Sequence, residues 1–507
     1  MRRRIIDMWE NQPLKLILLL AVLLRLIASI FSKGFGMHDD HFLVLEPAQS
    51  WVDGYDYNDW LPGSTATPTP SGHSFFYVGI HYLILLFMKF AGIYDPQTKM
   101  FIIRMLHAAL SLMTVYIGYK ITLKLSDQKT ARLTGLMLAV LWFMPFLSVR
   151  NLVEIVCIPF LIYSTWLIID HWDKENRMKY FLYAGLIIGV GFSVRFQIIT
   201  FAFGLGLALL IKLRWKEALF FGVGFFLSAL FLQGGVDYFV WGKPFLELKE
   251  YIRYNAENAT AYITNSWYNY ILLILGALIP PLSIFLFIGF FRSWRKHLIL
   301  FLPTFIFLLF HSLFPNKQER FIFPIIPFIV VLGMIGWQDY LLNGKFFKPG
   351  RKLLKTSWIF FWILNIIILL PFSVMYSKKA RVEAMVHLSH FDDIRRILIE
   401  NSIGNDAPMS PIFYAGQKII DYHVTKESPI TSLPEIVKVN RNYQPRFFLF
   451  MGPSKLEERR SKVQNVFPNI VYETTIDPGM VDKILHWLNP RNANQTIIIY
   501  RNTDFYP

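Results

Sequence analysis

Long apolar runs separated by short polar connections recur along most of this chain. Eleven of the runs are long enough to cross the roughly 30 Å hydrocarbon core of a bilayer as helices. Lipid offers the backbone no hydrogen-bonding partner, so such runs are expected to fold as membrane-spanning helices. The predicted spans are Leu14–Phe31, Met105–Leu123, Leu133–Leu147, Ile155–Ile169, Tyr180–Val194, Phe196–Ile211, Leu219–Leu232, Tyr270–Phe291, Leu298–Phe314, Phe321–Trp337 and Trp358–Met375.

A twelfth apolar run, Phe75–Phe90, decides the orientation of everything after it. If this run does not cross, the basic connections fall on the same side as Arg2–Arg4, as the positive-inside rule requires. His81 and Lys89 also interrupt it, so we predict a helix lying along the membrane surface. The N-terminus is then cytosolic and the first external loop covers residues 33–99. The basic connections used for this test are residues 120–132, 212–216, 292–296 and 345–355.

The chain changes character after Met375, where charged residues become frequent and apolar runs short. Ser454–Glu457 has the sequence of a capping box and predicts the start of a helix there. We therefore predict an all-α polytopic membrane domain over residues 1–376 and a small soluble, extracytoplasmic α/β domain over residues 377–507. The predicted β-rich runs are Ile412–Tyr414, Phe447–Met451, Ile470–Thr475 and Thr496–Tyr500.

Composition supports a membrane protein and excludes several other classes. Hydrophobic residues make up 54% of the chain and charged residues only 17%, which leaves too little polar surface to coat a soluble core. The formal net charge of +16 sits mostly in clusters between apolar runs, so it indicates orientation and argues against nucleic-acid binding. The single cysteine, Cys157, excludes an intrachain disulfide and a cysteine metal site.

An acidic pair, Asp39 and Asp40, follows the first predicted span directly. Two adjacent carboxylates on an external loop suit general-base work, because one takes a proton while the other tunes or orients it. A solvated pair that starts a helix is the plain alternative. The flanking His38 and His41 also permit a metal site, but no further residue nearby has ligand spacing, so no metal or other cofactor is predicted.

Three further polar clusters lie on the predicted external side. Arg150 and Glu154 stand at the mouth of two spans, either in a functional role or as a snorkelling ion pair. Arg195 lies in a tight turn between spans, where phosphate recognition and simple boundary anchoring are both compatible with it. The run NKQERFIFP at residues 316–324 places Lys317, Glu319 and Arg320 in a short external loop, against the positive-inside bias.

With these residues laid out, the chain resembles the GT-C membrane glycosyltransferases. It is most similar to the family of dolichyl-phosphate-mannose-dependent mannosyltransferases of N-glycan and GPI-anchor assembly. That family carries a pattern His-Pro-Asp-Glu-x-Phe-Gln-x-x-Glu after its first span, which the run MHDDHFLVLE at residues 37–46 matches at Asp39, Asp40 and Glu46. Its second motif, His-Lys-Glu-x-Arg-Phe-x-x-Pro, is matched at Lys317, Arg320, Phe321 and Pro324.

The resemblance implies a GT-C fold of about eleven transmembrane helices. It implies inverting transfer of a sugar, with mannose expected, from a polyprenyl phosphate to a glycan or lipid-linked acceptor on the extracytoplasmic face. Asp39 would be the general base with Asp40 beside it. Arg150, Arg195, Lys317 and Arg320 would hold the leaving phosphate, and Glu46, Glu154 and Glu319 would complete substrate binding.

The expected partners are the polyprenyl-phosphate donor, the acceptor and the lipid bilayer. The absence of disulfides and the soluble C-terminal domain favour a bacterial inner-membrane enzyme with a periplasmic C-terminal domain. A transporter or flippase of a lipid-linked sugar is the main rival, and it predicts inverted repeats that the sequence does not show. A non-catalytic glycolipid-binding subunit is the other rival, and in it Asp39 would be dispensable.

Overall fold

The computed structural model describes residues 2–63, 69–70, 72–261, 264–344, 350–489 and 496–506. By its internal contacts the chain divides into two compact units. The helical unit comprises Met1–Ser32, Thr67–Ile80 and Ile103–Val374, and the sheet unit comprises Lys33–Ala66, His81–Ile102 and Met375–Pro507. Much of the first loop thus belongs to the same compact unit as the C-terminal residues.

The helical unit is built from apolar helices, as the hydrophobic pattern predicts. Six helical stretches are long and apolar enough to span a membrane, judged by length and composition over the described residues. They are Pro13–Phe31, Pro96–Leu125, Val153–Asp170, Trp215–Trp241, Glu319–Asn343 and Arg351–Ser373. The other helices of the unit are Arg2–Asn11, Gln128–Val140, Met144–Leu147, Met178–Val194, Ile198–Ile211, Leu246–Glu257, Asn269–Ala277, Leu282–Arg292 and Leu298–Leu313.

Several predicted spans are helical but interrupted. The run Tyr270–Phe291 divides into Asn269–Ala277 and Leu282–Arg292 around Pro280 and Pro281, which have no amide hydrogen to continue a helix. Phe75–Phe90 is one helix, and its course along the membrane surface stays a prediction. The helical character of the eleven runs is confirmed, while the count of eleven crossings stays a prediction.

Two pairs of helices approach each other closely at glycine. A Cβ atom added to Gly185 would lie 2.0 Å from the Phe221 carbonyl oxygen, and one added to Gly289 would lie 2.1 Å from the Gly333 carbonyl oxygen. Only glycine permits this backbone contact, which is how helices pack in lipid where no hydrophobic effect drives them together. The pairs are Met178–Val194 with Trp215–Ser228, and Leu282–Arg292 with Ile326–Asn343.

The sheet unit contains a five-stranded mixed sheet in the order β2-β1-β3-β5-β4. Strand β1 pairs in parallel with β2 and β3, and β5 pairs antiparallel with β3 and β4. Every residue of β3 is buried, as expected for the central strand of a covered sheet. The strands are β1 (Arg396–Asn401), β2 (Ile420–Thr425), β3 (Phe447–Met451), β4 (Ile470–Ile476) and β5 (Ile497–Asn502).

Helical segments accompany the strands, and two local predictions about them are wrong. Ile412–Tyr414 forms a 3-10 turn, Ile412–Ala415, because Pro411 precedes it and Gly416, at φ +66°, ends it. Ser454 does not cap the next helix, since Lys455 occupies the N-cap in a left-handed conformation without a capping bond. The segments are Lys379–Leu388, Ile412–Ala415, Ile430–Ser432, Glu435–Val439, Arg441–Tyr443, Leu456–Gln464 and Met480–Leu488.

Candidate active site

The acidic pair lies on an irregular helix in the sheet unit. His38–Asp40 forms a single turn, His41–Leu45 continues as a π-helical turn, and Glu46–Asp53 completes the segment as α-helix. π-helical turns are rare and concentrate at functional sites. The wider turn lies directly after the two aspartates.

The two aspartates differ in exposure although they are adjacent in the chain. The Asp39 side chain is 31% exposed, and its Oδ1 lies 3.7 Å from Nδ1 of His38. Asp40 is buried. Asp39 is therefore the more accessible carboxylate of the pair.

Glu46, predicted to bind substrate, is engaged by protein groups. Its Oε1 accepts a hydrogen bond of 3.0 Å from the backbone amide of Phe413 and lies 3.3 Å from Nε2 of His41. The side-chain amide of Asn58 donates to Oε2. A substrate-binding role for Glu46 stays a prediction, and its contacts in the structure are those of an anchor.

A second group of predicted residues meets inside the helical unit. Glu154 is fully buried, and its Oε1 lies 2.9 Å from Nη2 of Arg195 and 3.6 Å from Nε of Arg320. Each arginine Nε also donates to a glutamine two residues away, Arg195 to Gln197 at 3.3 Å and Arg320 to Gln318 at 2.8 Å. Both guanidinium groups are thereby fixed at one buried place.

Lys317 adds a further cation on the short connection that carries Arg320. Its ammonium group donates to the Phe314 carbonyl and lies 5.8 Å from the centre of the Tyr270 ring. The Tyr270 hydroxyl donates to the Gln318 carbonyl at 3.0 Å, which ties this connection to a neighbouring helix. Burial lowers the pKa of Lys317.

Arg150 is buried in the same unit and makes different contacts. Its Nη2 donates to the Ser32 hydroxyl at 2.8 Å, and its guanidinium lies 4.4 Å from the centre of the Phe146 ring. Glu319, in contrast, has an exposed side chain at the start of the 3-10 helix Glu319–Ile325. Its part in substrate binding stays a prediction.

Buried cations are the common feature of this part of the helical unit. Arg195, Lys317 and Arg320 are all buried, and Glu154 is placed against the two arginines. The second motif of the family has a glutamate where this chain has the neutral Gln318. Arginines held in place make strong, directed contacts to phosphate.

His311 is a member of this region that sequence reasoning missed. It is buried in helix Leu298–Leu313, and its Nδ1 lies 2.8 Å from the Phe307 carbonyl oxygen, so Nδ1 carries the hydrogen of that bond. Its Nε2 is buried without a hydrogen-bond partner in the part of the chain that the structure describes. Arg195 and Lys317 are its charged neighbours. An ionisable residue inside an apolar run was the available signal.

Tyr251 is a second missed residue. Its side chain is hydrogen-bonded to Gln197, and its charged neighbours are Arg195, Glu154 and Arg320. Burial raises the pKa of Tyr251, so the phenol stays protonated and can donate a hydrogen bond. It lies in helix Leu246–Glu257, between predicted spans, where nothing in the sequence distinguishes it from an interfacial aromatic.

Over the described residues, no group of three or more His, Cys, Asp or Glu side chains is placed to hold a metal ion.

Comparison with known proteins gives a family and a fold. Residues 16–403 match the model of the Alg9-like mannosyltransferase family. The chain is 27% identical over 350 residues to GPI mannosyltransferase 3 of Candida albicans, an alignment that covers 66% of each protein. The chain thus spans about two thirds of that relative's length. Because this relative comes from a yeast, the comparison does not support the expected bacterial source.

Two solved structures share the fold at low identity. The ArnT enzyme of Cupriavidus metallidurans, bound to undecaprenyl phosphate, aligns over 95% of this chain and 97% of its own, at 10% identity and a TM-score of 0.60. An oligosaccharyltransferase of Archaeoglobus fulgidus, tethered with an acceptor peptide, aligns over 87% of this chain and 69% of its own, at 12% identity and a TM-score of 0.50. With the family match over most of its length and this fold, the chain belongs to the Alg9-like mannosyltransferase family and is an integral membrane glycosyltransferase of the GT-C type.

Proposed function

We propose that this enzyme transfers mannose, with inversion, from a polyprenyl-phosphate donor to a hydroxyl of a glycan or lipid-linked acceptor. The observation that carries the proposal is the buried meeting of Arg195 and Arg320 at Glu154, with Lys317 also buried on the connection that carries Arg320. Arginines fixed in this way bind phosphate strongly and with directed contacts. The donor type also agrees with the undecaprenyl phosphate held by the structural neighbour.

In this proposal Asp39 is the general base. Its partly exposed carboxylate takes the proton of the acceptor hydroxyl while the acceptor oxygen forms the new bond to the anomeric carbon. The bond between that carbon and the phosphate oxygen breaks, and polyprenyl phosphate leaves with both electrons. Asp40, which is buried, orients the turn that carries Asp39.

The cations act on the leaving group. Negative charge grows on the phosphate as its bond breaks, and preorganised cations in a site shielded from water stabilise that charge in the transition state. We assign this role to Arg150, Arg195, Lys317 and Arg320, with Glu154 holding the two arginines. His311 takes up a proton from solvent at Nε2 when the phosphate anion arrives, and donates it in a hydrogen bond to a phosphate oxygen.

The division of labour follows the predicted topology. Residues 1–376 form the catalytic membrane domain, with the N-terminus in the cytosol and the reaction on the extracytoplasmic face. Residues 377–507 form the extracytoplasmic α/β domain. The positive-inside distribution of Lys and Arg supports this orientation.

The test uses the purified full-length enzyme in proteoliposomes, with polyprenyl-phosphate [³H]mannose as donor and octyl α-mannoside as acceptor probe. Asp39→Asn should lower kcat by roughly 10²- to 10⁴-fold, the usual contribution of a general base, while farnesyl phosphate still binds. Asp59→Asn, on the same loop, is the matched control and should keep wild-type activity.

Three outcomes would contradict parts of the proposal. Wild-type transfer by Asp39→Asn removes Asp39 as the base. Transfer from a glucose donor, and none from the mannose donor, would show that the transferred sugar is glucose. Movement of the intact lipid-linked sugar across the bilayer, without a new glycosidic bond, favours the flippase.

A further inference from the structure

We infer that the C-terminal residues position the catalytic aspartate, and that the segment Met409–Tyr414 is the element that holds the acidic turn. The acidic turn is defined here as residues 35–46. This inference rests on the proposed role of Asp39 and assigns the C-terminal domain a part in the same reaction. Both segments belong to the sheet unit.

Glu46 is the main anchor between the two segments. Its buried carboxylate receives the backbone amide of Phe413 at 3.0 Å, an interaction between residues 367 positions apart in the chain. The same oxygen lies 3.3 Å from Nε2 of His41. A buried carboxylate with these partners fixes the end of the π-helical turn to the C-terminal segment.

An aromatic stack forms a second link. The buried His41 ring lies between Phe35, at 4.7 Å and 20° between planes, and Tyr414, at 5.5 Å and 7°. Phe413 contacts the same ring edge-on at 6.1 Å between centroids. Stacking of this kind fixes the direction of the helix that carries the aspartates.

Met409 provides the third link, on the other side of the aspartates. Its sulfur lies 3.1 Å from Nε2 of His38, and its carbonyl accepts a hydrogen bond from Arg381. The Arg381 guanidinium stands 5.4 Å from the centre of the Phe35 ring and 6.0 Å from that of Phe42. Burial lowers the pKa of Arg381 to about 10, while Glu46 acts in the opposite direction.

In the sequence, the residues held by these contacts lie on both sides of Asp39. His38 on one side and His41 and Glu46 on the other are each held by the C-terminal segment, whereas the Asp39 side chain is left partly exposed. A catalytic group displaced by about 1 Å loses on the order of 10²-fold in rate. Loosening the segment should therefore impair the base without disturbing the phosphate cluster in the helical unit.

The experiment compares two pairs of variants in the proteoliposome assay. Tyr414→Ala removes the stacked ring and Tyr414→Phe keeps it. Glu46→Ala removes the acceptor of the Phe413 amide and Glu46→Gln keeps an oxygen there. We expect a loss in kcat of about 10- to 100-fold for each alanine variant, at least partial recovery in each conservative variant, and unchanged affinity for farnesyl phosphate in all four.

Val463→Ala is the matched control for general destabilisation, because Val463 is buried in the core around the sheet. It should lower Tm and leave kcat unchanged. Wild-type kcat in Tyr414→Ala and Glu46→Ala overturns the inference, and so does an equal loss of kcat and farnesyl phosphate affinity. Either result leaves the proposed function in place if Asp39→Asn is inactive, whereas wild-type activity of Asp39→Asn removes Asp39 as the base and the inference with it, while mannose transfer stands.

Discussion

At the scale of single residues, the site separates side chains that look equivalent in the sequence. Asp39 and Asp40 form one acidic pair, yet one is partly exposed and the other buried. Arg195 and Arg320 come from different loops, yet they converge on Glu154. At this scale, function depends on which polar atoms remain accessible to a substrate and which ones are bonded to other protein groups.

His311 gives the first residue-scale prediction. Its Nδ1 is committed to the Phe307 carbonyl, so only Nε2 is available to a phosphate. His311→Asn retains an amide near the Nδ1 position and loses the Nε2 position, while His311→Gln places an amide nitrogen near Nε2. We expect farnesyl phosphate to bind His311→Asn more weakly than wild type, by about 10-fold or more. This corresponds to the loss of one charge-assisted hydrogen bond, which contributes about 1.5–3 kcal/mol. The affinity of His311→Gln should be closer to that of wild type.

Titration calorimetry in detergent measures these affinities. His297→Asn, at the other end of the same helix, is the matched control and should bind as wild type does. If His311→Asn binds farnesyl phosphate with wild-type affinity, the imidazole does not contact the phosphate.

At the scale of elements, the predicted phosphate-binding side chains lie where regular structure ends. Arg195 is the extended C-cap of helix Met178–Val194, and Arg320 lies in the 3-10 turn before helix Ile326–Asn343. Glu154 lies in the four-residue helix Val153–Val156. Interruptions of this kind are tolerated at membrane depth where the freed backbone is buried in protein.

Another interruption produces the second prediction, around Glu247. This buried carboxylate accepts hydrogen bonds from the Phe75 amide at 3.0 Å, from Gln233 at 2.7 Å and from the Trp241 indole at 2.9 Å. It therefore joins the start of helix Phe75–Phe90 to helix Leu246–Glu257. Burial, and then the neighbouring carboxylate of Asp237, raise the pKa of Glu247 well above the ordinary value of 4.5.

The sign of the pH effect follows from this shift. The folded protein holds the proton of Glu247 to a higher pH than the unfolded chain, so its stabilising contribution is complete below about pH 4.5 and is lost as the pH rises toward the folded pKa. The free energy of unfolding should fall with pH in this range, by at most about 1.4 kcal/mol per pH unit from this group. Tm measured in detergent from pH 5 to pH 8 tests the slope.

Glu247→Gln should flatten this dependence, because an amide does not titrate. Glu250→Gln, on the same helix, is the matched control and should keep the wild-type slope. An unchanged slope in Glu247→Gln would show that another group controls the pH dependence.

At the scale of the whole molecule, the sequence predicts what depends on periodicity and leaves out what depends on distant contacts. Apolar runs alone locate the helices, because lipid leaves a backbone few alternatives. Strand β3 is predicted at Phe447–Met451, while β1 and β2 are missed. Three of the six residues of Arg396–Asn401 are charged or polar, and Ile420–Thr425 alternates between apolar and polar residues over only six positions.

The same limit applies to the site. The two motifs indicate Asp39, Asp40, Lys317 and Arg320 without any structure, because their spacing is local. The hydrogen bond from the Phe413 amide to Glu46 cannot be predicted from the sequence, since the two residues are 367 positions apart. Local sequence patterns thus predict the candidate site residues, and long-range packing determines which of those side chains are bonded within the protein as anchors.

Membrane topology supplies the last prediction, because the charge distribution predicts that the first loop and the C-terminal residues lie on the side of the membrane opposite Arg2–Arg4. The only cysteine, Cys157, is buried, so Cys157→Ala gives a background for single-cysteine labelling. Glu427→Cys, at an exposed position of the sheet unit, should react with a membrane-impermeant maleimide added to the extracytoplasmic side.

Lys212→Cys, exposed after helix Ile198–Ile211, should react with the same reagent only once the cytosolic side is opened. The unsubstituted Cys157→Ala protein is the control for background labelling. Labelling of both cysteines from one side would contradict the crossing pattern. A general base belongs on the face where the acceptor hydroxyl arrives, so labelling of Glu427→Cys from the cytosol would move the proposed reaction to the opposite face.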